Sequence, residues 1–332
     1  MSYIRNIAPG VIRYTCGLYS RKDLQNVQNT VVRDLATNNL SIDDLKNNIL
    51  LLDFLAEGHD DKLIQPLIDY LATIAGIDNI RVLFNAAIDV SKLPYRARSF
   101  VTHFTTWDGR FVNDGNQETV QLETKFLCLA RRPSTARAKL LSQLLNEVPD
   151  IRASFGSGFY DPSMIDQYKS YFPNHSLPIM LSDGDARSHN YFLASDIFQT
   201  CLFNIIVETS NQNDTSGWNS IFLTEKTFKC FDLYQIPIWF AVPGIVAQVR
   251  KLGFDLFDDI IDHGYDDIID EAERINSIIA QAKNLDNKFS LADCQNLRNT
   301  MYPRLKANLA VLDGLTASYT QTNDQLINEL LT

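Results

Sequence analysis

Apolar positions in the first third of the chain fall into short runs separated by segments with helical spacing. "GVIRYTCGL" reads as a strand, and "DLQNVQNTVVRDLA" repeats its apolar residues at helical intervals. "NNILLLDFLAEG" is a dense apolar run closed by acidic residues and glycine, the pattern of a parallel strand buried on both faces. "DDKLIQPLIDYLATIAG" reads as a helix with Asp60 or Asp61 as N-cap and Gly76 as its stop. "NIRVLFNAAI" and "RSFVTHFTTW" read as further strands. Strand and helix in alternation predict an open α/β sheet.

Residues 108–124 are polar and glycine-containing, which marks a crossing between domains. A second α/β series follows. "KFLCLARRP" is a strand running into a basic turn, and "STARAKLLSQLLNEV" is an amphipathic helix with N-cap residue types at Ser134 and Thr135. "IRASFGSG" is a short strand ending in small residues, "LFNIIVETS" a strong strand, and 161–181 an irregular stretch with three prolines. "FLTEKTFKC" opens a helix, "IPIWFAVPG" is an apolar strand feeding a Pro-Gly turn, and the remainder is helical. The pattern predicts two α/β domains with a cleft between them: 1–115, 125–285, and a helical tail over 286–332.

Composition changes this picture little. The 332 residues are 45% hydrophobic and 21% charged, as in ordinary folded proteins. A net charge of −10 argues against a broad non-specific grip on nucleic acid, though not against a local basic cleft. The five cysteines are scattered, with no CxxC pair, so reduced thiols in a cytosol are expected. The first ten residues hold no long apolar run, and no stretch reaches the ~20 residues of a membrane helix. A cytoplasmic protein without a membrane span is expected.

In open α/β sheets ligands bind beyond the carboxyl ends of strands. Three such places carry chemistry here. Arg131, Arg132 and Arg137 follow a strand and enter a helix, where free N–H groups and guanidinium forks both suit phosphate. Against this stands a plain solvated basic turn. Glu208 closes an apolar strand, where a carboxylate accepts from ribose or sugar hydroxyls, or simply faces water. Thr224 and Glu225 suit a helix start as N-cap and first-turn acid. Lys226 does not, because a cation opposes the N-terminal dipole, and an anion at the site would explain it. Trp239 and Phe240 in the next strand either stack on a base or fill the core.

Taken together, "TARAKLL", "ETS", "FLTEK" and "IPIWF" resemble the donor-binding half of bacterial α-1,3-fucosyltransferases, with their R-N-x-F-F helix, E-N-S, Y-V-T-E-K and P-I-Y-W-G motifs. "LCLARRP", "FLTEKTFKC", "LGFDLF" and "DHGYD" resemble phage and giant-virus proteins similar to glycosyltransferases even more closely. The resemblance spans about residues 125–275 and is most specific in T-E-K-T-F-K. It implies two Rossmann-like domains of GT-B type facing a cleft, and a sugar transferred from a nucleotide-sugar donor. It further implies that Arg137 and Lys226 hold the pyrophosphate, that Glu225 holds ribose or sugar hydroxyls, and that Glu208 lines the same cleft. Phe222 stands where the fucosyltransferases have tyrosine, and Ala241 near their glycine, so the resemblance does not name fucose.

For such a transfer a base must deprotonate the acceptor hydroxyl. The candidates are Asp53, Glu57 and His59 after the third apolar run, then His103 and Asp108. Each equally suits a helix cap. Asp183 and Asp185 lie in an irregular loop rather than beside a strand, so no metal is expected and no cofactor beyond the nucleotide-sugar co-substrate. The acceptor class stays open between glycan, lipid or protein and a hydroxylated pyrimidine in DNA. An inactive sugar-binding or assembly module is the third reading. If the chain is viral, the host cytoplasm is the expected compartment.

Overall fold

The computed structural model describes residues 3–15, 24–54, 61–84, 90–99, 120–156, 165–181, 195–208 and 221–332. Two units divide the chain: Met1–Thr106 with Asp214–Leu223 and Leu315–Thr332, and Trp107–Asn213 with Thr224–Gly314.

The first unit is built on a five-stranded sheet in the order β1 (Tyr3–Ala8), β2 (Val11–Thr15), β3 (Ile49–Phe54), β4 (Ile80–Phe84), β5 (Arg96–Ser99). β1 and β2 form an antiparallel hairpin, and β2 to β5 are parallel. The run "LLL" in β3 has a physical reason. Leu50 and Leu52 face helices α1 (Leu24–Thr37) and α3 (Asp61–Ala75), packing with Val31, Leu35, Leu67, Ile68 and Leu71. Leu51 points the other way and packs with Leu83, Ile327 and Leu330. Period-two alternation with both faces covered demands apolar residues at every position. A short helix α2 (Ile42–Lys46) precedes β3, started by a reciprocal cap between Ser41 and Asp44.

The second unit is a four-stranded parallel sheet in the order β7-β6-β8-β9. Its strands are β6 (Thr124–Ala130), β7 (Ile151–Phe155), β8 (Cys201–Val207) and β9 (Ile236–Phe240). Helix α4 (Thr135–Glu147) joins β6 to β7. The short α5 (Ser195–Gln199) precedes β8, and α6 (Glu225–Asp232) lies between β8 and β9. After β9 come α7 (Ile245–Lys251), α8 (Glu271–Lys288) and α9 (Leu291–Leu331). Phe126 and Phe203 stack across β6 and β8 with centroids 5.2 Å apart. The chain is thus an α/β protein with two mainly parallel sheets and helices after the second.

The tail expected over 286–332 begins with the end of α8 and continues as the long helix α9 (Leu291–Leu331), whose last turns belong to the first unit. Arg81 Nε donates to the Leu330 carbonyl at 2.9 Å, and Arg96 Nη2 to that of Glu329 at 3.2 Å. Arg98 pairs with the Glu329 carboxylate at 3.1 Å. Three guanidinium groups therefore sit at the negative end of the helix dipole.

Sequence patterning missed β1, whose "YIRNIA" mixes charge and amide with apolar residues, and α2, which is a single turn. The strand read over 98–107 is described only to Ser99, the last residue of β5. Cys128, Cys201, Cys230 and Cys294 are buried and free. Among the described residues, no helix is long and apolar enough to cross a membrane.

Candidate functional site

In the second sheet the chain leaves β6 toward β7 on one side, then returns to β8 on the other side of β6. The strand order reverses between β6 and β8, which makes their carboxyl ends the topological switch point. Parallel register sets Leu127 beside Asn204, so the two strands end level. Arg131 and Arg132 leave β6 at this point, and Glu208 leaves β8.

Helix α4 begins with Ser134 as N-cap, its Oγ accepting from the Arg137 N–H, and its first turn holds no acid. Arg137 is 6% exposed. Its Nη1 donates to the Arg132 carbonyl at 2.8 Å and its Nη2 to the Glu208 carbonyl at 2.7 Å. One guanidinium thus ties the turn after β6 to the end of β8. Burial pulls the Arg137 ionisation downward, and the charge of Glu208 pulls the other way.

The Glu208 side chain is fully enclosed, so its carboxylate holds the protein together here rather than facing solvent. Oε1 accepts from the Thr227 hydroxyl at 2.7 Å and the Thr224 N–H at 3.2 Å, and Oε2 from the Thr224 hydroxyl at 2.5 Å. The directions of these bonds are fixed. Trp239 Nε1, which can only donate, reaches Thr227 Oγ1 at 3.0 Å, so the Thr227 proton must go to Glu208. Thr224 Oγ1 likewise accepts from the Lys226 N–H and Nζ, at 3.3 and 3.1 Å, and gives its own proton to Glu208. Both carboxylate oxygens are acceptors in a chain running from β9 through α6 to β8.

This changes the reading of Lys226. Its misfit with the helix dipole needs no bound anion. The ammonium folds back over Thr224, 3.4 Å from Glu225 and 4.0 Å from Glu208, so two carboxylates outweigh the dipole. The Lys226 side chain is still one-third exposed, and Glu225 about one-quarter, so both reach solvent at the switch point. Trp239 and Phe240 are core residues without exposure.

Lys229, one turn along α6, was not singled out in the sequence. It is 8% exposed, with Nζ 3.8 Å from the centroid of the Phe198 ring on α5. Burial draws its ammonium down to about 7, with Glu225 and Asp232 opposing and Arg131 adding to the effect. The available signal was its place in "TEKTFK", three residues after Lys226 and between Phe228 and Cys230.

The "DHGYD" block organises the turn after β9. The Tyr265 hydroxyl accepts from the Trp239 N–H at 3.1 Å, and the Asp266 carboxylate accepts from Val246 and Ala247 at the start of α7. His263 Nε2 faces the Leu256 carbonyl at 2.9 Å, so that nitrogen carries the proton, and Nδ1 accepts from Tyr265 at 3.0 Å. Burial holds the imidazole below its ordinary 6.5. The unfolded chain therefore takes up this proton before the folded one, and stability falls as pH drops below 6.5. Thermal unfolding of the protein and of His263→Gln at stepped pH checks this. The protein should lose more stability than the variant below that pH, and parallel curves would refute it.

Of the candidate bases, Asp53 lies in β3, 2% exposed. Its Oδ2 accepts from Arg13 Nε and Nη2 at 2.9 and 2.5 Å, so it serves as a cross-strand partner of β2. Glu57, His59, His103, Asp108, Asp183 and Asp185 lie outside the described residues. Among the described residues, no group of three His, Cys, Asp or Glu is placed to hold a metal ion.

No protein-family model and no curated protein matches the chain. Among solved structures, a similar one is the DNA modifying enzyme beta-glucosyltransferase, determined with and without the substrate uridine diphosphoglucose. The identity is 10%, the match covers 89% of this chain and 98% of that one, and the TM-score is 0.33. A likeness of this size assigns neither activity nor substrate.

Proposed function

We propose that the protein transfers a sugar from a nucleotide-sugar donor to an acceptor hydroxyl, with the donor diphosphate held at the carboxyl ends of β6 and β8. One observation carries the reading. In a chain of net charge −10, Arg131, Arg132, Arg137 and Lys226 gather around the switch point of one parallel sheet. In such sheets that is where phosphate-bearing ligands bind. The motif resemblance in T-E-K-T-F-K points the same way.

The roles divide by exposure. Lys226 and Arg132 reach solvent and contact phosphate oxygens, with the half-buried Arg131 beside them. Arg137 acts from beneath, fixing both strand ends while adding charge. Glu208 acts through Thr224 and Thr227, holding the first turn of α6 in place. Glu225 accepts from a ribose or sugar hydroxyl. As the glycosidic bond breaks, negative charge grows on the leaving diphosphate, and preorganised cations offset it best there. On the acceptor side we place the general base at Glu57 or His59, because Asp53 already holds Arg13.

A thermal-shift screen against UDP-, GDP-, CMP- and dTDP-sugars tests this reading. A donor at a hundredfold excess over its Kd stabilises the protein by about 2.7 kcal/mol. One nucleotide class should shift the unfolding temperature well beyond the others. A panel with no shift at millimolar concentration would contradict the reading.

A further inference from the structure

We propose that His263 and Tyr265 are a positioning pair for the donor site: the neutral imidazole takes the Tyr265 hydroxyl proton and so keeps the first turn of α6 tied to β9, and its protonation weakens donor binding. The inference rests on the donor reading above. β9 is an edge strand, so the Trp239 N–H has no strand beyond it to pair with. The Tyr265 hydroxyl oxygen accepts from it at 3.1 Å, and the Tyr265 proton goes to His263 Nδ1 at 3.0 Å. His263 Nε2 gives its own proton to the Leu256 carbonyl at 2.9 Å, which fixes the tautomer. The indole of the same tryptophan continues the chain. Its Nε1 donates to Thr227, Thr227 donates to Glu208, and Glu208 accepts from Thr224, on which Lys226 folds back. Trp239 thus carries one end of the chain on its backbone and the other on its side chain, with no exposed surface.

A second proton on the ring upsets the balance of donors and acceptors. With the ring neutral, the Trp239 N–H and the Tyr265 O–H meet two acceptors, the Tyr265 oxygen and His263 Nδ1. A proton on Nδ1 makes three donors and leaves only the Tyr265 oxygen to accept, so one of them loses its partner. Tyr265 is 2% exposed and the His263 side chain 7%, so little water reaches the break. Relief requires the Tyr265 ring or the Trp239 backbone to move, and either motion pulls on the indole bond to Thr227. The charged groups facing the imidazole are Asp258, 3.9 Å from Nε2, Asp262 in the same turn, and Arg250 from α7. The two aspartates favour a charged ring, and Arg250 and burial oppose it. A diphosphate at the switch point would favour the charged ring through space. Direct attraction and the hydrogen-bond chain therefore give pH dependences of opposite sign.

Titration calorimetry of the full chain with the panel of UDP-, GDP-, CMP- and dTDP-sugars, from about pH 8 down to about pH 5.5, reads that sign. NMR follows the His263 ring in the same range, its signals assigned by their loss in His263→Gln. One pH unit below the His263 midpoint about a tenth of the molecules keep the neutral ring, so Kd should be about tenfold weaker. His263→Gln should lose this fall, although Asp266, which burial raises to about 6, remains in it. Tyr265→Phe should move the His263 midpoint to higher pH, because Nδ1 no longer has a hydroxyl proton to accept. If Tyr265→Phe does not fold, the comparison with His263→Gln decides alone. Affinity that rises with acid, stays level, or falls as steeply in His263→Gln overturns the inference and leaves the donor reading standing. An unmoved His263 midpoint in folded Tyr265→Phe does the same. No binding by any sugar of the panel at neutral pH overturns both.

Discussion

Lys226→Ala loses nucleotide-sugar binding and keeps the fold. The first half follows from exposure: the Lys226 ammonium reaches solvent at the switch point, where a charge-assisted bond to phosphate is worth about 1.5–3 kcal/mol. The loss is on the order of ten- to a hundredfold in Kd for each bond made. The second half follows from the network beneath. Without the ammonium, Glu208 still accepts from the Thr224 hydroxyl, the Thr224 N–H and the Thr227 hydroxyl. A partly exposed ion pair at 4.0 Å contributes little to stability, about 0–1 kcal/mol. Titration calorimetry and thermal unfolding of the same sample separate the two effects. Normal donor affinity in a folded variant would remove Lys226 from the site.

Glu208→Ala gives the opposite outcome, a protein damaged in its fold. The substitution leaves two hydroxyl protons and one N–H enclosed with no acceptor, each costing about 1–3 kcal/mol. The sum is on the order of 4 kcal/mol, a large part of a typical domain's stability. Gln at this position rescues little, because its amide N–H₂ meets a Thr hydroxyl that must itself donate. Thr227→Val sits between, breaking one bond to Glu208 and one from Trp239, for about 2 kcal/mol. Urea midpoints at constant slope order the three variants. A Glu208→Ala protein within 1 kcal/mol of the parent would show that the network is not what holds α6.

Much of the second sheet was legible because its strands are dense in apolar residues. "LFNIIV" and "IPIWF" have no helical stripe and are too short for helices. Ser134 and Thr224 were readable as caps because capping is local, a side chain meeting an N–H two or three residues on. The reasons for Lys226 and Glu208 were not legible. Dipole logic weighed Lys226 against its own helix, while one of the two carboxylates that offset the dipole, Glu208, lies eighteen residues earlier, brought underneath by the β8–α6 packing. Glu208 at a strand end read as a ligand group, yet the hydroxyls it accepts from are Thr224 and Thr227. Lys229 went unnoticed because a lysine between Phe228 and Cys230 gives no sign of its burial until α5 is packed on it. β1 was hidden by Arg5 and Asn6, which break the alternation expected of a strand.

The most direct measurement is hydrogen exchange on the intact chain with and without the nucleotide sugar that gives the largest thermal shift. Amides of 130–137 and 224–229 should gain protection on binding, since they surround the carboxyl ends of β6 and β8. Protection confined to other segments, with these two unchanged, would contradict a diphosphate held at the switch point.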